Sequence, residues 1–206
     1  MITVRQIERL WEGRAYDRLV GELLSLRIED STRLRSLLSG SLPAAAMGLI
    51  RLDELNQSHH PIAQKLIRRL LASQAPDGGW EDPLITALCI RALLTSNGQG
   101  PAIERAIRYL ADLQKSDGAW PKEPIRRLAA DSFTTVFILF ELTSQEPFRA
   151  AVRLDDAIRW VQINEGELDE PSKKLWRHVA VRVGAIKRST VRTIQFGDAQ
   201  QALIWS

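Results

Sequence analysis

The amino-acid sequence predicts an all-α protein built from stacked helical hairpins. Three observations carry this. A short string occurs twice, "QAPDGGW" at Gln74–Trp80 and "QKSDGAW" at Gln114–Trp120, and both ends are offset by 40 residues (114 − 74 and 120 − 80). The same offset links Pro43 to Pro83, Ile50 to Ile90 and Arg51 to Arg91. Around the strings, amphipathic stretches alternate with stretches that are apolar nearly all round. Self-similarity near this period marks arrays of helical hairpins. Alternating stripe and all-round apolarity marks outer and inner helices.

The elements follow in order. Residues 3–38 read as helices without the repeated string, and 14–56 read as a degenerate repeat. "PAAAMGLIRLDEL" and "PLITALCIRALL" are the same inner element in successive repeats. The first clear repeat spans about 60–100. Within it, 61–74 is an amphipathic helix through Ile62, Leu66, Ile67, Leu70 and Leu71. Pro61 suits its first turn. "APDGG" breaks the helix. Asp82 is the expected N-cap and Pro83 the first residue of the next helix, which runs to Leu94. The second clear repeat, 101–144, has an outer helix through Ile103, Ile107, Leu110 and Leu113. A longer connection, "SDGAWPKEPIRRLAA", leads to the inner helix "DSFTTVFILFEL", with Asp131 as N-cap.

A degenerate copy occupies 155–206. Ala157-Ile158-Arg159-Trp160 matches Ala106-Ile107-Arg108-Tyr109, but the later Gln and Trp are missing. Irregular terminal units are expected in stacked architectures. Residues 172–187 fit a helix through Leu175, Trp176, Val179, Val183 and Ile186. The β-branched "STVRTIQF" is open between helix and hairpin, and "DAQQALIW" fits one more short helix.

Composition sets outer bounds. The chain has 206 residues, 45% of them hydrophobic and 26% charged, with a net charge of +3. That suits one domain covering 1–206. The charge is too small to argue for nucleic acid or an anionic membrane. Cys89 is the sole cysteine, so no intrachain disulfide can form. No apolar run approaches the ~20 residues that span a bilayer. The N-terminus has no apolar core of signal-peptide length. A soluble, cytoplasmic protein is expected.

The string A-I-x-Y-L-x-x-L-Q-x-x-D-G-x-W at Ala106–Trp120 resembles the QW repeat of squalene and hopene cyclases. It is similar too to the repeat of protein prenyltransferase β subunits. "DSFTTVFILFEL" resembles the inner helix that follows such a repeat. The resemblance covers about 60–144, and more weakly 155–170. It implies an α/α toroid, complete or partial, of about five to six helical hairpins. Its inner helices would surround a central hydrophobic cavity. The ring would be open, closed by the tail, or closed by a second copy or subunit. An open solenoid of helical hairpins is the structural alternative.

The string also has a physical reading. Gln74 and Gln114 can satisfy orphan groups at helix ends. Asp77-Gly78 and Asp117-Gly118 make tight turns in which glycine is free to take positive φ. Trp80 and Trp120 supply large apolar faces and one N–H each. Together these residues would staple an outer helix to the adjacent hairpin.

The chemistry implied by the resemblance is not matched at its motifs. The cyclases use a D-x-D-D acid, which must be held dry and protonated. The nearest string is Arg153-Leu154-Asp155-Asp156, with arginine in place of the first aspartate, so Asp155 is expected as an N-cap. The prenyltransferases bind zinc through Asp, Cys and His. Here Ala87 stands two before Cys89, and His59, His60 and His178 show no zinc-site spacing. No metal and no cofactor are expected. Cys-Gly-Glu-Gln, needed by thioester domains of the same shape, is absent after Cys89, as are nucleotide-binding and nucleophile-elbow motifs.

Polar residues on inner helices are the candidate ligand contacts: Thr86, Asp131, Thr134, Thr135 and Glu141. Asp131 also reads as a cap, the threonines as bonded to their own helix backbone, and Glu141 as paired to an arginine or marking a pocket. From Pro171 to Gly197 there are cations and no acids: Lys173, Lys174, Arg177, Arg182, Lys187, Arg188 and Arg192. Such a run is a solvated face or a docking patch. Aromatics are not interleaved as base stacking requires, which argues against nucleic acid.

The expected function is therefore a binding module without recognisable catalytic motifs. It would hold a hydrophobic, isoprenoid-like molecule or a protein segment in its cavity or on its rim. An isoprenoid-modifying enzyme with an atypical or partner-completed site is one alternative. A scaffold using the basic C-terminal region is the other.

Overall fold

The computed structural model describes residues 42–95 and 100–184. The expectations for 3–38 and for the strings "STVRTIQF" and "DAQQALIW" lie outside the described residues. So do Lys187, Arg188 and Arg192. The described residues form eight helices and no strand. The protein is all-α there. By its contacts the chain divides into two compact units, Met1–Leu113 and Gln114–Ser206.

In the first unit, α1 (Leu42–Glu54) is buried along most of its length. α2 (Pro61–Ala72) buries one stripe: Ile62, Ala63, Leu66, Ile67 and Leu70. α3 (Pro83–Leu94) buries every residue from Pro83 to Ile90, with Ala92 and Leu93. α4 (Gly100–Leu113) is again one-sided, through Ala102, Ala106, Ile107, Tyr109, Leu110 and Leu113. α1 packs on α2 and α3, and α3 packs on α4. The expected alternation of one-sided and nearly all-round burial is present.

The ends of these helices follow from local chemistry. Asp82 caps α3, its carboxylate accepting from Ile85 N, and Pro83 follows at the start. The cap of α2 was not expected: His60 Nδ1 accepts from Ile62 N at 3.3 Å. An imidazole can do this only while that nitrogen carries no proton.

In the second unit, α5 (Ser132–Leu142) is buried from Phe133 to Leu139, and Asp131 caps it as expected. A short helix, α6 (Glu146–Ala151), follows and buries Phe148. α7 (Leu154–Ile163) packs against α5. A 3-10 turn, Glu165–Glu167, follows α7. α8 covers 170–184 and buries Ser172, Trp176, Val179 and Val183.

One boundary needs correction. Asp155 is not the N-cap of α7. Arg153 holds that position, and Asp155 and Asp156 lie in the first turn. The cause is tertiary. Arg153 N donates to Gln114 Oε1 at 2.9 Å, which pins the start of the helix. Carboxylates in a first turn still suit the positive end of the helix dipole.

Candidate functional site

The repeated string builds the same joint twice. In the first unit α2 ends at Ala72, and the chain turns through Gln74–Trp80 into α3. Ala75 N donates to Gly79 O, and Gly78 N to Ala75 O, both at 2.9 Å. Asp77 Oδ1 accepts from Gly79 N at 3.0 Å, an Asx turn. In the second unit Lys115, Gly118, Ala119 and Asp117 repeat these bonds at 2.9, 2.9 and 3.1 Å.

The turn glycines cannot be replaced without strain. Gly78 has φ +94° and Gly118 has φ +93°. A Cβ on Gly78 would sit 2.6 Å from Arg105 O, and one on Gly118 would sit 2.4 Å from Ala157 N. Both contacts are backbone atoms in the first turns of the next outer helix, α4 or α7. The turn is therefore pressed against the entry of the following repeat.

The glutamines lock that contact. Gln74 Nε2 donates to Gly78 O and to Ala102 O, each at 2.9 Å. Gln114 Nε2 donates to Gly118 O at 2.8 Å and to Arg153 O at 3.2 Å. One amide thus ties its own turn to the first backbone of the next outer helix. The acceptor side is used as well: Gln74 Oε1 takes Arg105 Nη2 at 2.6 Å, and Gln114 Oε1 takes Arg153 N.

The tryptophans and threonines complete the joint. Trp80 and Trp120 are fully buried. Trp80 Nε1 donates back to Leu70 O at 2.8 Å, in the last turns of α2. Trp120 stacks against Phe148 of α6, with ring centroids 6.2 Å apart. Thr86 Oγ1 accepts from Trp80 N at 2.8 Å and donates to Trp80 O at 3.1 Å. Thr135 Oγ1 does the same for Trp120, at 3.0 and 3.4 Å. Each threonine stands four residues after its capping aspartate (86 − 82 and 135 − 131). That places it one helical turn in from the N-terminus, beside the incoming tryptophan.

The candidate ligand contacts therefore have structural partners. Thr86 and Thr135 are fully buried and hydrogen-bonded to tryptophan backbone. Thr134 Oγ1 donates to Asp131 Oδ2 at 2.7 Å, and Thr134 N donates to the same oxygen at 2.8 Å. Glu141 is buried in the last turn of α5. A helix rises 1.5 Å per residue, so it lies about 15 Å along the axis from Asp131. The two carboxylates do not form one site.

Tyr109 was not among the candidates. It packs on Gly79, whose Cβ would fall 2.6 Å from the ring. Its hydroxyl bonds to Thr86. Burial foremost, then the charges of Asp77 and Asp82, push its pKa up, against the lowering by Thr86. Cys89 is buried in α3, and burial foremost, followed by Glu81 and Asp82, raises its thiol pKa. It is a packed side chain rather than an activated thiol. Among the described residues no group of three His, Cys, Asp or Glu side chains could hold a metal ion.

The acidic string is wet. Asp156 pairs with Arg153 at 3.6 Å and Arg159 at 3.2 Å, with its side chain 36% exposed. On α8, Lys174, Arg177 and Arg182 are exposed, and Lys173 meets Glu170 at 3.5 Å. Arg182 lies over the Phe140 ring at 4.7 Å and donates to Phe140 O. His178 meets the same ring edge-on at 6.1 Å. No described helix is long and apolar enough to cross a membrane. Comparison with protein-family models, curated proteins and solved structures returned no match.

Proposed function

We propose that this chain is a non-catalytic binding module of the terpenoid-cyclase and prenyltransferase repeat type. It would be a complete or partial α/α toroid that holds an isoprenoid-like molecule or an apolar protein segment in its cavity or on its rim. One observation carries the non-catalytic part. Seven hydroxyls and carboxylates of the two clear repeats are tied into the joints and caps: Thr86, Thr134, Thr135, Asp77, Asp82, Asp117 and Asp131. The nearest counterpart of the cyclase acid, Asp155-Asp156, lies in a solvated helix turn between arginines, whereas a proton-donating acid must be dry. Likeness to enzymes at the level of fold cannot replace a missing site. A second copy or another subunit would complete the ring.

The test is direct. Purified protein is titrated with squalene and with geranylgeranyl diphosphate, following tryptophan fluorescence, and the mixtures are analysed for products. Saturable binding without conversion is expected. A cyclised or transferred product, or no binding of either probe, would overturn the assignment. A scaffold role for α8 is the second reading, favoured by the exposed Lys174, Arg177 and Arg182 on one helix.

A further inference from the structure

We propose that the loop Pro121–Ala130 is a docking site for an acidic segment of another protein that carries an apolar anchor. This stands whether or not the repeats hold a hydrophobic ligand.

The loop is surplus to the joint it interrupts. In the first unit, Glu81 alone links Trp80 to the capping Asp82. In the second, the chain leaves after Trp120, runs through Pro121–Ala130 and returns to the equivalent place. Asp131 N donates to Trp120 O at 2.9 Å, and Pro121 bridges Ala130 at the neck. The same threonine bonds form behind it. A connection longer than its fold requires is where function concentrates.

The loop also has a defined shape. Ile125 N donates to Glu123 O at 2.7 Å, and Leu128 N to Ile125 O at 3.0 Å. Lys115 Nζ reaches across to Arg126 O at 3.3 Å and Leu128 O at 2.8 Å. This turn presents Arg126 and Arg127 at its tip, with Lys122 near its base, all exposed. Glu123 is the loop's one acid. Ile125 and Leu128 flank the arginines at 39% and 38% exposure, and few large apolar side chains among the described residues are left so open.

Those features select the partner. Three cations against one acid call for a negative counterpart. Exposed ion pairs alone are weak, so affinity must come from apolar contact with Ile125 and Leu128. Both keep more than half their surface covered on a cross-linked turn, which suits a partner that fits them rather than a lipid surface that must be entered. The loop has no aromatic on which a base could stack.

Two reagents test this. A shortened variant replaces Pro121–Ala130 with one glycine and should melt within ~2 °C of wild type. A displayed peptide library is then selected on the full chain, with counter-selection on the shortened variant. Enriched peptides should place Asp or Glu around Leu, Ile or Phe. Their affinity should fall at least ~10-fold in Arg126→Glu/Arg127→Glu and in Ile125→Ser/Leu128→Ser, and should weaken with salt. Recovery of no loop-dependent peptide, or of basic peptides, would overturn the proposal. So would tighter loop-dependent binding to phosphatidylserine vesicles or to an oligonucleotide. A shortened variant that cannot fold would make the loop structural and would overturn it equally.

Discussion

The turns Gln74–Asp82 and Gln114–Asp131 reach one hydrogen-bonded joint by different routes. The first is short, and its cost is visible: Glu81 sits at φ 46°, one of two non-glycine residues in the left-handed region among those described. The second inserts Pro121–Ala130 and has no such residue. The residues that make the joint are otherwise the same: glutamine on the next outer helix, glycine against it, and tryptophan held by a threonine one turn into the inner helix. What recurs is the glutamine amide bonds, the Asx turn and the threonine–tryptophan bonds, not the path between tryptophan and cap. The insertion is free to serve another purpose because the joint does not depend on it.

The comparison can be broken at its strongest point first. Trp80→Ala and Trp120→Ala each remove a fully buried ring. Each should cost ~3–5 kcal/mol in urea unfolding. An unchanged midpoint in either would separate the two joints and return that tryptophan to a ligand role.

A somewhat smaller effect is expected at the turn glycines. Gly78→Ala and Gly118→Ala combine positive φ with a backbone clash, at 2.6 and 2.4 Å. Left-handed backbone alone costs about 1–3 kcal/mol. Both should lose at least ~2 kcal/mol, and by similar amounts. Thermal melts check this. A loss at one glycine alone would show that the turn presses on the next helix in only one repeat.

Much of this was legible in the sequence, for identifiable reasons. The 3.6-residue apolar periodicity located the helices, and Asp82-Pro83 and Asp131 marked two starts because capping is local chemistry. The role of the string as a staple followed from residue type. The partners of that staple did not. Thr86 and Thr135 looked like candidate ligand contacts because nothing local links a threonine to a tryptophan that precedes it by six or by fifteen residues (86 − 80 and 135 − 120). The signal was present in their common spacing from Asp82 and Asp131. The start of α7 was misplaced because Gln114 fixes it from a distance. Phe148 and its short helix α6 were missed because six residues, Glu146–Ala151, are too few to show a period. Tyr109 escaped notice because its importance lies in the missing side chain of Gly79.

The central claim is that the polar residues of the repeats serve the joint rather than a ligand. Urea unfolding of Thr135→Val beside Thr135→Ser tests it most directly. Valine keeps the shape and leaves the buried Trp120 N–H without its acceptor, whereas serine keeps the hydroxyl. The expected result is a loss of ~1–3 kcal/mol for valine and a loss smaller by at least ~1 kcal/mol for serine. A valine variant as stable as wild type would contradict the claim.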